Sequence, residues 1–124
     1  VAGLRRRRGF GPLPLVVGGR SNGARVACRT ALASGAQAVV ALAFPLHPPG
    51  RPENSRLAEL DAAGVPVLVV QGERDPFGMP PAGAGREIVV VPGADHALRR
   101  DTAAIAEVVV GFVTSQIGHA KVAT

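Results

Sequence analysis

Cysteine occurs once in the 124 residues, and tryptophan and tyrosine do not occur at all. A lone thiol, Cys28, excludes an internal disulfide framework and a multi-cysteine zinc site. The main signature of oxidised, secreted domains is therefore missing. Only four phenylalanines are present, too few for the stacking platforms that bind RNA or single-stranded DNA. Long apolar runs are also lacking. A stretch such as Ala38–Phe44 falls far short of the roughly 20 apolar residues that cross a membrane. Lysine is nearly absent, with Lys121 the only one among 14 basic residues, against 9 acidic residues and a net charge of +5. The abundance of arginine together with alanine, glycine and valine fits a GC-rich coding bias as well as a binding surface.

What is present is a chain that is 47% hydrophobic, which excludes a disordered polymer. Its length suits one domain. Arg5–Arg8 is the one basic cluster. Without interleaved aromatics or a nucleic-acid motif, it reads as the solvated end of a helix running into Gly9. The apolar stretch behind it is broken by Pro12 and Pro14 and shows no cleavage pattern, so no targeting segment is read. The expectations are no nucleic acid, no membrane, no metal, no cofactor and a cytoplasmic location. Residues 1–12 read as the tail of a preceding helix and loop. Opening on Val1 inside an element, the chain is expected to be a piece of a longer protein.

Apolar runs of strand length alternate with helix-like segments. Strands are expected at Leu15–Val17, Val39–Phe44, Val67–Val70 and Ile88–Val91. Helices are expected from about Asn22 to Ala33, from Ser55 to Ala63 and from about Asp101 to Gln116. Ser55 would cap the second helix and Gly64 would stop it. In the last, Ile105, Val108, Val109, Phe112 and Val113 recur at helical spacing. The strands are apolar on both faces, as strands covered by helices on both sides must be, and the alternation argues a parallel α/β sheet. Pro45–Pro52 and Pro76–Gly85 are loops just past strand ends, where open parallel sheets place their ligand sites.

Gly19-Arg20-Ser21-Asn22-Gly23 fits G-x-S-x-G. The pattern alone is weak, and Ser21 could be a plain helix cap in a glycine-rich turn. Its context is more specific, because a strand precedes it and a helix follows, as a nucleophile elbow requires. Such a turn presents the hydroxyl at the sheet edge, with helix N-terminal amides behind it for a developing oxyanion. A serine needs a base, and the base needs an orienting acid. Asp75 follows the third strand and His96 follows the fourth, so all three candidates leave the same edge in the order Ser, Asp, His. The bland alternatives are that Asp75 serves a turn before Pro76, that Glu73 is the acid, and that His96 is a loop histidine held by Asp95. His47 and Phe77 lie in loops at the same edge, and Arg20 lies inside the motif. These three are the candidate pocket walls. His119 is read as part of a polar tail.

With these residues in place, the sequence resembles the C-terminal half of an α/β-hydrolase. More narrowly it is similar to the hydrolase-like family of testis-expressed protein 30 and the third subunit of the non-specific lethal complex, whose bacterial members are dienelactone-hydrolase-like. Gly18–Arg25, Phe44–Pro52 and Val69–Phe77 carry the resemblance, the proline-rich segment most distinctively. It implies a parallel-sheet α/β-hydrolase fold truncated to about its last four strands with flanking helices. The partial domain would span residues 13–117, with a tail at 118–124. It implies Ser21 as nucleophile, Asp75 as acid, His96 as base and the Asn22 N–H as one oxyanion donor, the second donor lying outside this chain. The expected partner is a small acyl or ester substrate. The first strand would normally be central and is expected to be an open edge, with self-association or a non-catalytic interaction role as the alternative function.

Overall fold

The computed structural model describes residues 14–123, with the side chains of 119–123 excepted. The reading of residues 1–12 as a helix tail therefore lies outside the described residues. Four strands, β1 (Val16–Arg20), β2 (Ala38–Leu42), β3 (Val67–Gly72) and β4 (Arg86–Val91), form one parallel sheet in the order β1-β2-β3-β4. The register pairs Val16 with Ala38, Val39 with Val67, and Val67 with Arg86. Three helices connect and follow them: α1 (Asn22–Ser34), α2 (Leu57–Asp61) and α3 (Thr102–Ala123).

The period-two pleat splits β3 between two apolar layers. Val67 and Val69 join Val39 and Ala41 of β2 beneath α1 and α2. Leu68 and Val70 face the opposite side, where Ile105, Val108, Val109 and Phe112 of α3 cover them. The α1 face against the sheet is made of Ala24, Ala27, Cys28 and Ala31, all buried. Small side chains bring that helix close to the strands. Among the described residues, no helix is long and apolar enough to cross a membrane.

Some expectations need correction. Among the described residues, only β2 and β3 are covered on both faces; β1 and β4 are half-buried, and Val90 is 45% exposed. A four-stranded open sheet has two edges, and an edge strand's outer side chains find fewer neighbours. The second helix is shorter than expected and its cap position is Arg56. Ser55 still serves the start, its Oγ accepting the Leu57 N–H at 3.1 Å. Gly64 ends the segment with φ +73°, where a Cβ would meet Leu32 Cδ1 at 2.6 Å. The last helix does not stop near Gln116. It runs to Ala123, so residues 118–123, including His119, are helical. Nothing in that stretch breaks a helix, since it has no proline and an interior glycine such as Gly118 costs only about 1 kcal/mol.

Candidate active site

The site grows from the end of β1. Ser21 stands between the strand and α1 with φ 54° and ψ −121°, a left-handed backbone that a non-glycine residue adopts only under constraint. The constraint is visible. The Ser21 N–H continues the sheet ladder by donating to Leu42 O at 2.9 Å, while Ser21 O already accepts the Ala24 N–H of the helix. Strand and helix are thus joined without an intervening residue. That junction needs glycine at position 19, where a Cβ would collide with the Gly23 carbonyl. Position 23 makes no such demand, because a Cβ there meets nothing within 4 Å.

Ser21 Oγ lies 2.8 Å from His96 Nε2, and His96 Nδ1 lies 2.8 Å from Asp75 Oδ2. A carboxylate can only accept, so the Nδ1 proton faces Asp75 and Nε2 is left as the acceptor for the serine hydroxyl. The Asp75 side chain is entirely buried and that of His96 is 24% exposed. Asp75 reaches this position from the turn after β3. Its N–H donates to Gly72 O, and its own carbonyl accepts the Gly78 N–H. Asp75 Oδ1 accepts the Phe77 N–H at 2.8 Å, so both carboxylate oxygens are engaged.

His96 hangs from the loop after β4. That loop is laid across the end of β3: the Arg74 N–H donates to Ala94 O, and a Cβ on Gly72 would collide with Asp95 O. The competing partners are occupied elsewhere. Glu73 Oε1 accepts the Gly93 N–H, and Asp95 Oδ1 accepts the Ala97 N–H.

Of the pocket-wall candidates, Phe77 lies against the imidazole, with ring centroids 4.2 Å apart and planes tilted by 31°. Arg20 is exposed and reaches across the site, its Nη2 donating to Ala97 O beside His96. His47 instead packs against the position of Gly78, and its Nδ1 donates to Pro48 O at 2.8 Å. It therefore braces the loop that carries Asp75. The Asn22 N–H, at the first position of α1, has no acceptor among the described residues. A separate cleft lined by Leu60, Asp61, Val65 and Arg86 lies at the opposite end of the strands and includes none of these candidates.

Behind the elbow, α1 is tied to α2 by a two-pronged ion pair. Arg25 Nε and Nη2 donate to Glu59 Oε1 and Oε2 at 2.9 and 2.8 Å. The bonds from Arg25 hold the Glu59 carboxyl below its usual range. Burial has the reverse effect on Cys28 and pushes its thiol up to about 11.

Two residues of the site were not assigned roles from the sequence. Gln71 and Phe44 hydrogen-bond to each other in the buried floor of the site. The available signal was a glutamine ending the apolar run Val67–Val70, since a polar side chain at a buried strand position needs partners.

The profile of a family described as "Alpha/beta hydrolase domain" matches residues 7–107. The chain belongs to that family. Two solved structures are similar. One is an α/β serine hydrolase without a lid from Xanthomonas campestris, with a TM-score of 0.56 and 21% identity over 87% of this chain and 48% of that one. The other is an α/β serine hydrolase homologue from Coxiella burnetii, with a TM-score of 0.47 and 17% identity over 87% of this chain and 50% of that one. The chain thus spans about half the length of each. None of the curated proteins matches the sequence.

Proposed function

We propose that this chain carries the nucleophile, base and acid of a serine hydrolase that cleaves esters or similar acyl compounds. The observation that carries the proposal is the unbroken line from Ser21 Oγ through His96 to the buried Asp75 carboxylate, starting at a strained strand–helix junction. His96 Nε2 takes the hydroxyl proton as Ser21 Oγ attacks the acyl carbonyl. Asp75 holds the ring in the tautomer that makes Nε2 basic and offsets the imidazolium charge. The Asn22 N–H donates to the oxyanion. As the tetrahedral intermediate collapses, His96 returns the proton to the leaving alcohol, and an acyl-serine remains. Water then attacks that ester with His96 again as base, releasing the acid and free serine.

The proline-rich segment Phe44–Pro52 supports placing the chain near the family of testis-expressed protein 30, with dienelactone-hydrolase-like bacterial members. Arg20 and Phe77 are the proposed pocket walls, and a cytoplasmic location is part of the same reading. A fluorophosphonate probe with peptide mass spectrometry tests it. Label should appear on Ser21 and vanish in Ser21→Ala, which should unfold at nearly the same temperature. Equal labelling in that variant would assign the chemistry elsewhere.

One observation favours a second reading. The outer edge of β1 has no partner strand among the described residues, and unpaired backbone groups beside apolar side chains are a template for association. In this reading the chain is a non-catalytic scaffold that pairs with a second copy through that edge. Fluorophosphonate labelling separates the two readings, since only an activated serine reacts. Size-exclusion chromatography with light scattering tests the pairing itself, which a stable monomer at high concentration would contradict.

A further inference from the structure

Gln71 is the last residue but one of β3 and is fully buried, although the four residues before it in the strand are valine or leucine. Its amide is saturated. Oε1 accepts the Phe44 N–H at 3.0 Å, and Nε2 faces Phe44 O at 2.8 Å, Gly78 O at 2.8 Å and Asp75 Oδ2 at 3.3 Å. The chemistry of these partners fixes the amide orientation. Three of them can only accept and one can only donate, so the amide cannot be flipped without four mismatches. Two Nε2 protons serve three acceptors. The two carbonyls at 2.8 Å take the direct bonds, and Asp75 Oδ2 shares one of the protons.

We infer that Gln71 is a positioning residue for the proposed reaction, holding Asp75 and Phe77 against His96. The inference rests on the serine-hydrolase reading for its catalytic meaning. One arm of the amide grips the backbone where the chain leaves β2, at Phe44. The other grips Gly78, which closes the turn containing Asp75 and Phe77. The shared proton on Oδ2 adds a second donor to the oxygen that accepts from His96. That oxygen is thereby held in place from both sides, while Phe77 N–H fixes the other. Packing alone does not account for a glutamine here. A methionine or leucine would fill the space without the cost of desolvating a primary amide.

The test compares the unchanged chain with Gln71→Glu and Gln71→Leu. The glutamate keeps the shape and the acceptor for Phe44 N–H but removes the donors. The first readout is the far-downfield proton resonance of His96 Nδ1–H, assigned by its loss in His96→Asn. A variant that retains the circular dichroism of the unchanged chain should lose or broaden that resonance. Its rate of Ser21 labelling by fluorophosphonate should fall by about 10²-fold, the order expected for a small misplacement of reacting groups. A resonance left unchanged in a folded variant would overturn the inference, because a merely structural glutamine would not move it. The second readout needs no variant. In the unchanged chain, the Gln71 side-chain amide protons should give a nuclear Overhauser cross-peak to His96 Nδ1–H, since both point at Asp75 Oδ2. Absence of that cross-peak overturns the inference even if neither variant folds. If the unchanged chain takes no label while the cross-peak is present, the serine-hydrolase reading fails and the positioning contact stands.

Discussion

Gly19 and Gly23 meet at the elbow with no room for a side chain on the first and ample room on the second. The two glycines of one motif therefore have different tolerances. Gly19→Ala forces backbone against backbone and should cost at least about 2 kcal/mol, as overpacking at a rigid contact does. Gly23→Ala adds a methyl in open space within a helix and should be neutral or stabilising by roughly 0.5–1 kcal/mol. Urea denaturation midpoints check both. Equal losses in the two variants would contradict the asymmetry.

The two acids after β3 should separate as cleanly. Asp75 holds His96, while Glu73 is occupied by the Gly93 N–H. Asp75→Asn should slow Ser21 labelling by up to about 10⁴-fold, the loss that the corresponding exchange causes in a serine protease. Glu73→Gln should leave the rate within about twofold, because surface changes away from the site are small in effect. A comparison of labelling rates decides whether the roles are assigned correctly.

Glu59 makes part of the stability depend on pH. Its carboxyl is held low by hydrogen bonds from Arg25 and, less strongly, by charge. A lowered native value means that the folded state favours the ionised form. The contribution is full above the unfolded value of roughly 4.3 and is lost as pH falls through the native one. Both side chains are 23% exposed, so solvent screening keeps the effect to about 1 kcal/mol or less. Glu59→Gln should be less stable than the unchanged chain at pH 7 and approach it at pH 3. Thermal unfolding at the two pH values measures the difference.

Cys28 is 1% exposed beneath α1, with its thiol pushed up to about 11 by burial. The thiolate is the reactive form, so iodoacetamide at pH 8 should leave the native chain largely unmodified and alkylate it promptly in denaturant. Rapid native alkylation would show that α1 is not packed on the sheet as described.

Much of this arrangement was legible because of where residues stand relative to strand ends. Ser21, Asp75 and His96 each lie a few residues past the end of an apolar run, and parallel strands deliver such residues to one edge. The spacing of Ile105, Val108, Val109 and Phe112 gave the face of α3 that covers Leu68 and Val70. Other features depend on distant partners. Sheet order decides that Val90 lies on an exposed edge. The role of Gln71 depends on Phe44 and Gly78, which only the fold brings together. The continuation of α3 past Gln116 is not legible from apolar spacing, since the stripe from Ile105 to Val113 ends before it, whereas a helix ends only where something stops it.

The central claim is that His96 activates Ser21. The most direct measurement is fluorophosphonate labelling of the folded chain, located by peptide mass spectrometry, in the unchanged sequence and in His96→Ala. The account predicts label on Ser21 alone in the first and a loss of at least about 10³-fold in rate in the second, the scale on which removing a triad base acts. A folded chain that takes no label, or a Ser21 labelled equally fast without His96, would contradict it.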